Sequence, residues 1–170
     1  IKGMVLNNVL DYVGNNTGII EAQVLTDDDG LIQLVASGAP VINAGTISAN
    51  AVEGSSAGSV IIASEDSVIL DSGSSTEAKA FGLTGEGGRV IIDSFKGDIL
   101  VDRLALIDIS AGTTAGDAGY ARINTPGRLD FRGTLNGKAA KGYKIGSAIF
   151  DPEYASISGA IGADLTVDAW

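Results

Sequence analysis

Val41-Ile-Asn-Ala-Gly-Thr-Ile-Ser-Ala49 is the stretch that decides how this chain is read. Its kernel is Asn43-x-Gly45-x-Ile47-x-Ala49, and the same spacing occurs 27 residues earlier as Asn16-Thr-Gly18-Ile-Ile20-Glu-Ala22. Looser versions follow at Ile107-Asp-Ile-Ser-Ala111, Gly133-Thr-Leu-Asn-Gly137 and Gly159-Ala-Ile-Gly-Ala163. Gly45 to Ile107 is 62 residues, or two steps of 31, and the next two steps are 26 each. Self-similarity at such a period marks stacked units that cannot bury their apolar faces singly.

A second signal keeps the same time. A glycine opens a short alternating run at Gly30-Leu-Ile-Gln-Leu34, Gly58-Ser-Val-Ile-Ile62, Gly88-Arg-Val-Ile-Ile92, Gly119-Tyr-Ala-Arg-Ile123 and Gly146-Ser-Ala-Ile-Phe150. A third run lies between the two at Ser67-Val-Ile-Leu-Asp71, Asp98-Ile-Leu-Val-Asp102 and Arg128-Leu-Asp-Phe-Arg132. Each unit is thus three short strands joined by Gly, Asn, Asp and Ser turns, with no helix between them. Only stacking, each strand bonded to its equivalents above and below, gives such a unit a core. The expected fold is all-β: a right-handed parallel β-helix of about six coils, three short strands per coil, forming one domain over residues 1–170.

Period-2 alternation assigns the faces. Val60, Ile62, Val90, Ile92, Ala121, Ile123, Ala148 and Phe150 are expected inside on the first strand. Val68, Leu70, Ile99, Val101, Leu129 and Phe131 take that place on the second, and Ile20, Ile47, Ile109, Leu135 and Ile161 on the third. Residues 73–86 lack the third-strand pattern and are expected to leave the helix as an excursion whose apolar part is Ala80-Phe81-Gly82-Leu83. Shorter excursions are expected at 112–118 and 136–145.

Composition narrows the chemistry. The chain has no Cys and no His, which removes disulfides, thiolate and imidazole metal sites and the usual nucleophile–base pairs. Asp and Glu outnumber Lys and Arg 21 to 11, a net charge of −10, so nucleic acid is not an expected partner. No apolar run reaches the length of a membrane span, and no membrane insertion is expected. The chain opens on Ile1, so it reads as a piece of a longer product.

Gly30-Leu-Ile-Gln-Leu-Val-Ala-Ser-Gly38, Val41-Ile-Asn-Ala-Gly-Thr-Ile-Ser-Ala49, Gly58-Ser-Val-Ile-Ile-Ala63 and Val68-Ile-Leu70 resemble the secretion domain of filamentous-haemagglutinin-like proteins. These are exoproteins exported by two-partner secretion in Gram-negative bacteria. Gly116-Asp-Ala-Gly-Tyr-Ala-Arg-Ile-Asn-Thr-Pro-Gly-Arg-Leu-Asp-Phe-Arg-Gly-Thr-Leu135 is similar to the coils of their shaft, and the resemblance covers roughly 13–137. It implies a right-handed β-helix, export through an outer-membrane transporter, a place on the bacterial surface or in the medium, and contact with host or neighbouring cells. The family's Asn-Pro-Asn-Gly motif is missing from this chain, which would then start downstream of it or be a divergent relative.

Carboxylates are the remaining catalytic material. The repeat stacks Asp71, Asp102 and Arg132 in one outward column, which reads either as a solvated face or as an acid/base pair of a carbohydrate-active β-helix enzyme. Asp27-Asp-Asp-Gly30 reads as an acidic turn rather than a Ca²⁺ site, and Asn15-Asn-Thr17 as a sequon in form only, its Asn a turn residue. Ile61, Ile69, Ile91 and Leu100 are the candidate partner-binding residues, since together they would make an outward apolar patch. The alternative to a partner is that Phe81 and Leu83 of the 73–86 excursion cover it. No cofactor and no metal is expected. The function the resemblance implies, and the one expected, is a structural β-helix segment of a secreted bacterial surface adhesin, an export module or shaft without catalysis. A self-assembling, head-to-tail filament protomer is the third possibility.

Overall fold

A computed structural model describes residues 14–21 and 30–168. Every regular element in them is a strand, and neighbouring coils pair in parallel, as a repeat of stacked equivalents demands. Strands are numbered along the chain. The first face stacks β3 (Leu31–Ala36), β6 (Ser59–Ser64), β9 (Arg89–Ser94), the opening halves of β12 (Tyr120–Phe131) and β14 (Ser147–Ile157), and β16 (Asp164–Val167). The second stacks β1 (Gly14–Asn16), β4 (Val41–Asn43), β7 (Val68–Leu70), β10 (Ile99–Val101) and the closing halves of β12 and β14. The third stacks β2 (Ile19–Glu21), β5 (Thr46–Ser48), β8 (Ser75–Glu77), β11 (Leu106–Asp108), β13 (Thr134–Asn136) and β15 (Ala160–Gly162). Five complete coils result, with β1 and β2 before them and β16 after them. β12 and β14 run through a corner and join the first two faces into one sheet, while the third face is a sheet of its own.

The aliphatic files are continuous. Val60, Val90, Ala121 and Ala148 lie directly over one another, as do Ile62, Ile92, Ile123 and Phe150, and all are essentially inaccessible to solvent. Val68, Ile99 and Leu129 form another file, and Leu70, Val101 and Phe131 a fourth. Each Val, Leu, Ile or Phe among them contributes about 1.5–3 kcal/mol by leaving water, and like-on-like stacking holds the register. Phe131 and Phe150 meet across the core with ring centroids 5.2 Å apart.

Most polar groups inside are paired, Ser74 Oγ and Arg122 Nε being buried without a partner. The Asn43 side chain accepts from Asn16 Nδ2 at 3.0 Å and donates to Thr76 Oγ1 at 3.2 Å, a ladder across three coils at the corner between the second and third faces. Ser64, Ser94 and Thr125 do the same work at the corner between the first and second, each hydroxyl accepting a nearby N–H and donating to a backbone carbonyl. A buried donor or acceptor left unpaired costs about 1–3 kcal/mol, so these ladders are what permits polar residues at the corners.

Three expectations are corrected. Residues 73–86 do not leave the stack: Ser75, Thr76 and Glu77 pair in register with Thr46–Ser48 below and Leu106–Asp108 above. Thr76 is fully buried where other coils carry Ile or Leu, and its hydroxyl is satisfied by Asn43. Beyond it Ala80 bridges to Ala51 and Thr84 to Ala115, so the segment is a stacked corner with a surface tip. Second, the file of Ile47 continues through Ile107, not Ile109, to Leu135 and Ile161. The slip is two residues, which preserves the inward side, and Ile109 is buried as well. Third, Asn15 is a strand residue of β1 opposite Ile42 rather than a turn residue.

Candidate functional site

The outward columns are the surfaces on which a function can act. Ile61 and Ile91 are register partners on the first face, and Ile69 and Leu100 on the second. All four are half-buried. They do not form one patch, because the chain turns a corner at 64–67 and 94–98 between the two pairs. The first column runs Gln33, Ile61, Ile91, Arg122, Ile149, and the second Ile42, Ile69, Leu100, Asp130. Phe81 and Leu83 stay exposed and do not cover them. Phe81 instead stands over the Lys79 ammonium, 5.3 Å from its ring centre, beside Thr46, Ser48 and Asn50 of the third face.

Above Ile91, Arg122 reaches sideways to Asp93 with both carboxylate oxygens within 2.9 Å of one guanidinium nitrogen. Above Leu100, a shallow depression of about 240 Å³ is lined by Asp98, Leu100, Arg128, Asp130 and Arg132. Arg132 pairs with Asp130, and its hydrogen bond holds the Asp130 carboxyl below the usual carboxylate range.

Asp71, Asp102 and Arg132 stack as the repeat requires: their backbone N–H groups donate to Asn43, Leu70 and Val101 in the preceding coil at 2.8–2.9 Å. The carboxylates do not converge on a reacting centre. Asp71 accepts the N–H of Ser72 at 2.8 Å and Asp102 that of Arg103 at 2.7 Å, so each closes its own turn. Arg132 turns to Asp130. Among the described residues no three acidic side chains gather as metal ligands would. Asp27, Asp28 and Asp29 lie outside the described residues.

The third face carries a polar lattice that sequence reading missed. Lys79 Nζ lies 3.0 Å from Glu77 and 3.3 Å from Asp108. Glu77 also accepts from Ser75 at 2.6 Å and Asn50 at 2.8 Å, and Asp108 accepts from Asn136 at 3.0 Å. Burial alone would raise the Glu77 pKa, but these hydrogen bonds and the ammonium outweigh it and hold it low. Burial alone would lower Lys79, but the two carboxylates outweigh that and hold it high. The partners in neighbouring coils are 27–29 residues apart, so the one available signal was a lysine between carboxylates in successive coils. Beside the lattice, Thr46, Ser48, Asn50, Glu77 and Phe81 line a depression of about 140 Å³.

The expected excursion at 136–145 is a real loop on the corner between the third and first faces. Its tip, 141–145, is exposed and carries Lys141, Tyr143, Lys144 and Ile145. Comparison with family models, with curated proteins and with solved structures finds no match for this chain.

Proposed function

We propose that this chain is a structural β-helix segment of a secreted bacterial surface adhesin, of the kind exported by two-partner secretion. In this reading it serves as a stiff shaft or export module and carries no catalysis of its own. Its partners are the outer-membrane transporter during export and the surface of a host or neighbouring cell afterwards. The observation that supports the reading best is the buried apolar file of the first face, Ile32, Val60, Val90, Ala121 and Ala148, which runs unbroken through five coils and resists bending in the way a spacer needs. The sides offer depressions of about 240 and 140 Å³, smaller than the roughly 300–1,000 Å³ of small-molecule sites. Asp71, Asp102 and Asp130, the carboxylates of the outward columns, are spent on turns and an ion pair.

The test is export. The full reading frame is expressed in a Gram-negative host with and without the outer-membrane transporter encoded nearest to it, and protein is assayed at the cell surface and in the medium. The expected result is surface or released protein only when the transporter is present. Folded protein retained inside the cell in both strains would overturn the proposal.

A further inference from the structure

The loop 138–145, Lys138-Ala-Ala-Lys-Gly-Tyr-Lys-Ile145, differs from its surroundings in charge. Carboxylates are in excess, 21 to 11, so a cation has partners to choose from. Lys79, Lys96, Arg122 and Arg132 each sit within 4 Å of one, while Arg89, Arg103 and Arg128 make no ion pair among the described residues but stand singly along the chain. Lys138, Lys141 and Lys144 are exposed and none of them makes an ion pair among the described residues. Three of the chain's 11 cations thus fall within seven residues and stay unneutralised.

The loop is anchored. Lys138 and Lys144 carbonyls accept from Ala111 and Ala118 of the coil before, each at 2.9 Å. Asp117 Oδ1 takes the Lys144 N–H at 2.9 Å, and Gly146 donates to Gly137 at 2.7 Å to close the neck. Between these ties Tyr143 N–H meets Ala140 O at 3.1 Å, and Gly142, at φ 94°, turns the tip with open space around it. The ammonium groups therefore hang from a closed turn rather than a loose tail. Tyr143 stands among them, 46% exposed.

We propose that this loop binds an acidic glycan: a chain of sugar rings that carries carboxylates. Ammonium groups pair with the carboxylates, and the Tyr143 ring offers an apolar face for sugar C–H edges with a hydroxyl at its rim. Charge selects this polyanion over others. Asp117 and Asp164 flank the base of the loop, and the whole chain is at −10. An anionic membrane is a plane wide enough to meet those acids, and nucleic acid packs about one charge per 1.7 Å of duplex. A single glycan strand with one charge per ring is narrow enough to touch the loop alone. Acids more than about 8–10 Å away are screened at physiological salt. The inference stands apart from the export reading, since the loop would bind its glycan whichever way the chain reaches it.

The experiment titrates the intact chain with hexagalacturonate by calorimetry at about 50 and about 200 mM salt. Maltohexaose, phosphatidylcholine–phosphatidylserine vesicles and oligothymidylate are the comparators. Hexagalacturonate should bind, more weakly at the higher salt, and maltohexaose should not. The Lys138→Gln/Lys141→Gln/Lys144→Gln variant should lose at least about tenfold in affinity, and Tyr143→Ala several-fold, as three exposed ion pairs and one stacking face warrant. Thermal melts should be unchanged, because these side chains lie outside the stack. No binding of hexagalacturonate, equal binding by the triple lysine variant, or binding of vesicles or oligothymidylate as tight as that of the glycan would overturn the proposal.

Discussion

Lys79 shows what a single residue does on a sheet of stacked coils. Its ammonium ties Glu77 of its own coil to Asp108 of the next, so the pair acts across the stack and along it. The folded-state pKa of Glu77 lies below its ordinary value of 4.5. The stability it contributes is therefore complete above pH 4.5 and is lost as pH falls through the folded value. Lys79 is raised above 10.5, so its share is complete below that pH and is lost as pH rises through the folded value. The lattice is intact between those limits. Glu77→Gln should cost about 1 kcal/mol at pH 7. It should also flatten the decline in stability between neutral and acid pH. Urea midpoints at several pH values between 7 and 3 check this, and parallel curves for the two proteins would mean that the carboxylate contributes nothing.

At the scale of the strand, the first face explains why the glycine signal was legible. A Cβ built on Gly88 would lie 2.0 Å from the carbonyl oxygen of Gly58, and one on Gly119 would lie 1.9 Å from that of Gly88. Backbone cannot yield there without breaking the ladder, so a glycine opens β6, β9 and β12. Gly88→Ala should cost upwards of about 3 kcal/mol or prevent folding. Gly73, at φ 79° with nothing within 4 Å, should lose only about 1–2 kcal/mol on the same change, from backbone strain alone. Denaturant midpoints for the two variants decide it: a Gly73→Ala as damaging as Gly88→Ala would remove close approach as the cause. The third strand of the second coil was not legible for the opposite reason. Alternation looks for aliphatics, and Thr76 holds the inward place with a hydroxyl that only Asn43, 33 residues away, makes tolerable. The slip at Ile109 has a related origin, since Ile107 and Ile109 both point inward and a period of two cannot choose between them. The surface was read less well than the core. The columns of Ile61, Ile91, Ile69 and Leu100 followed from register alone, but the corner that separates them and the salt-bridged lattice of the third face depend on how coils sit side by side.

For the whole molecule the stack makes a stronger demand: a coil should be removable. Each coil touches only the coils before and after it, and the energy is close to a sum of coil and interface contributions. Residues 89–119 are one complete coil, bounded by Gly88 and Gly119 at equivalent places. Deleting them joins Gly88 to Tyr120 and would bring the strand of Ala121 and Ile123 onto that of Val60 and Ile62, aliphatic on aliphatic. The second face closes as Leu129 and Phe131 meet Val68 and Leu70, and the third as Leu135 meets Thr76. Arg122 loses Asp93, an outward loss that leaves the core intact. The shortened chain should keep the far-ultraviolet signature of a β-sheet and unfold with an m-value smaller by about one coil's share of buried surface. Deleting 89–113 instead leaves a remainder that matches no coil, puts inward residues out of register, and should yield no cooperative transition. If both deletions fold equally well, or the whole-coil deletion alone fails, then the coils are not interchangeable layers and the stack does not owe its stability to their repetition.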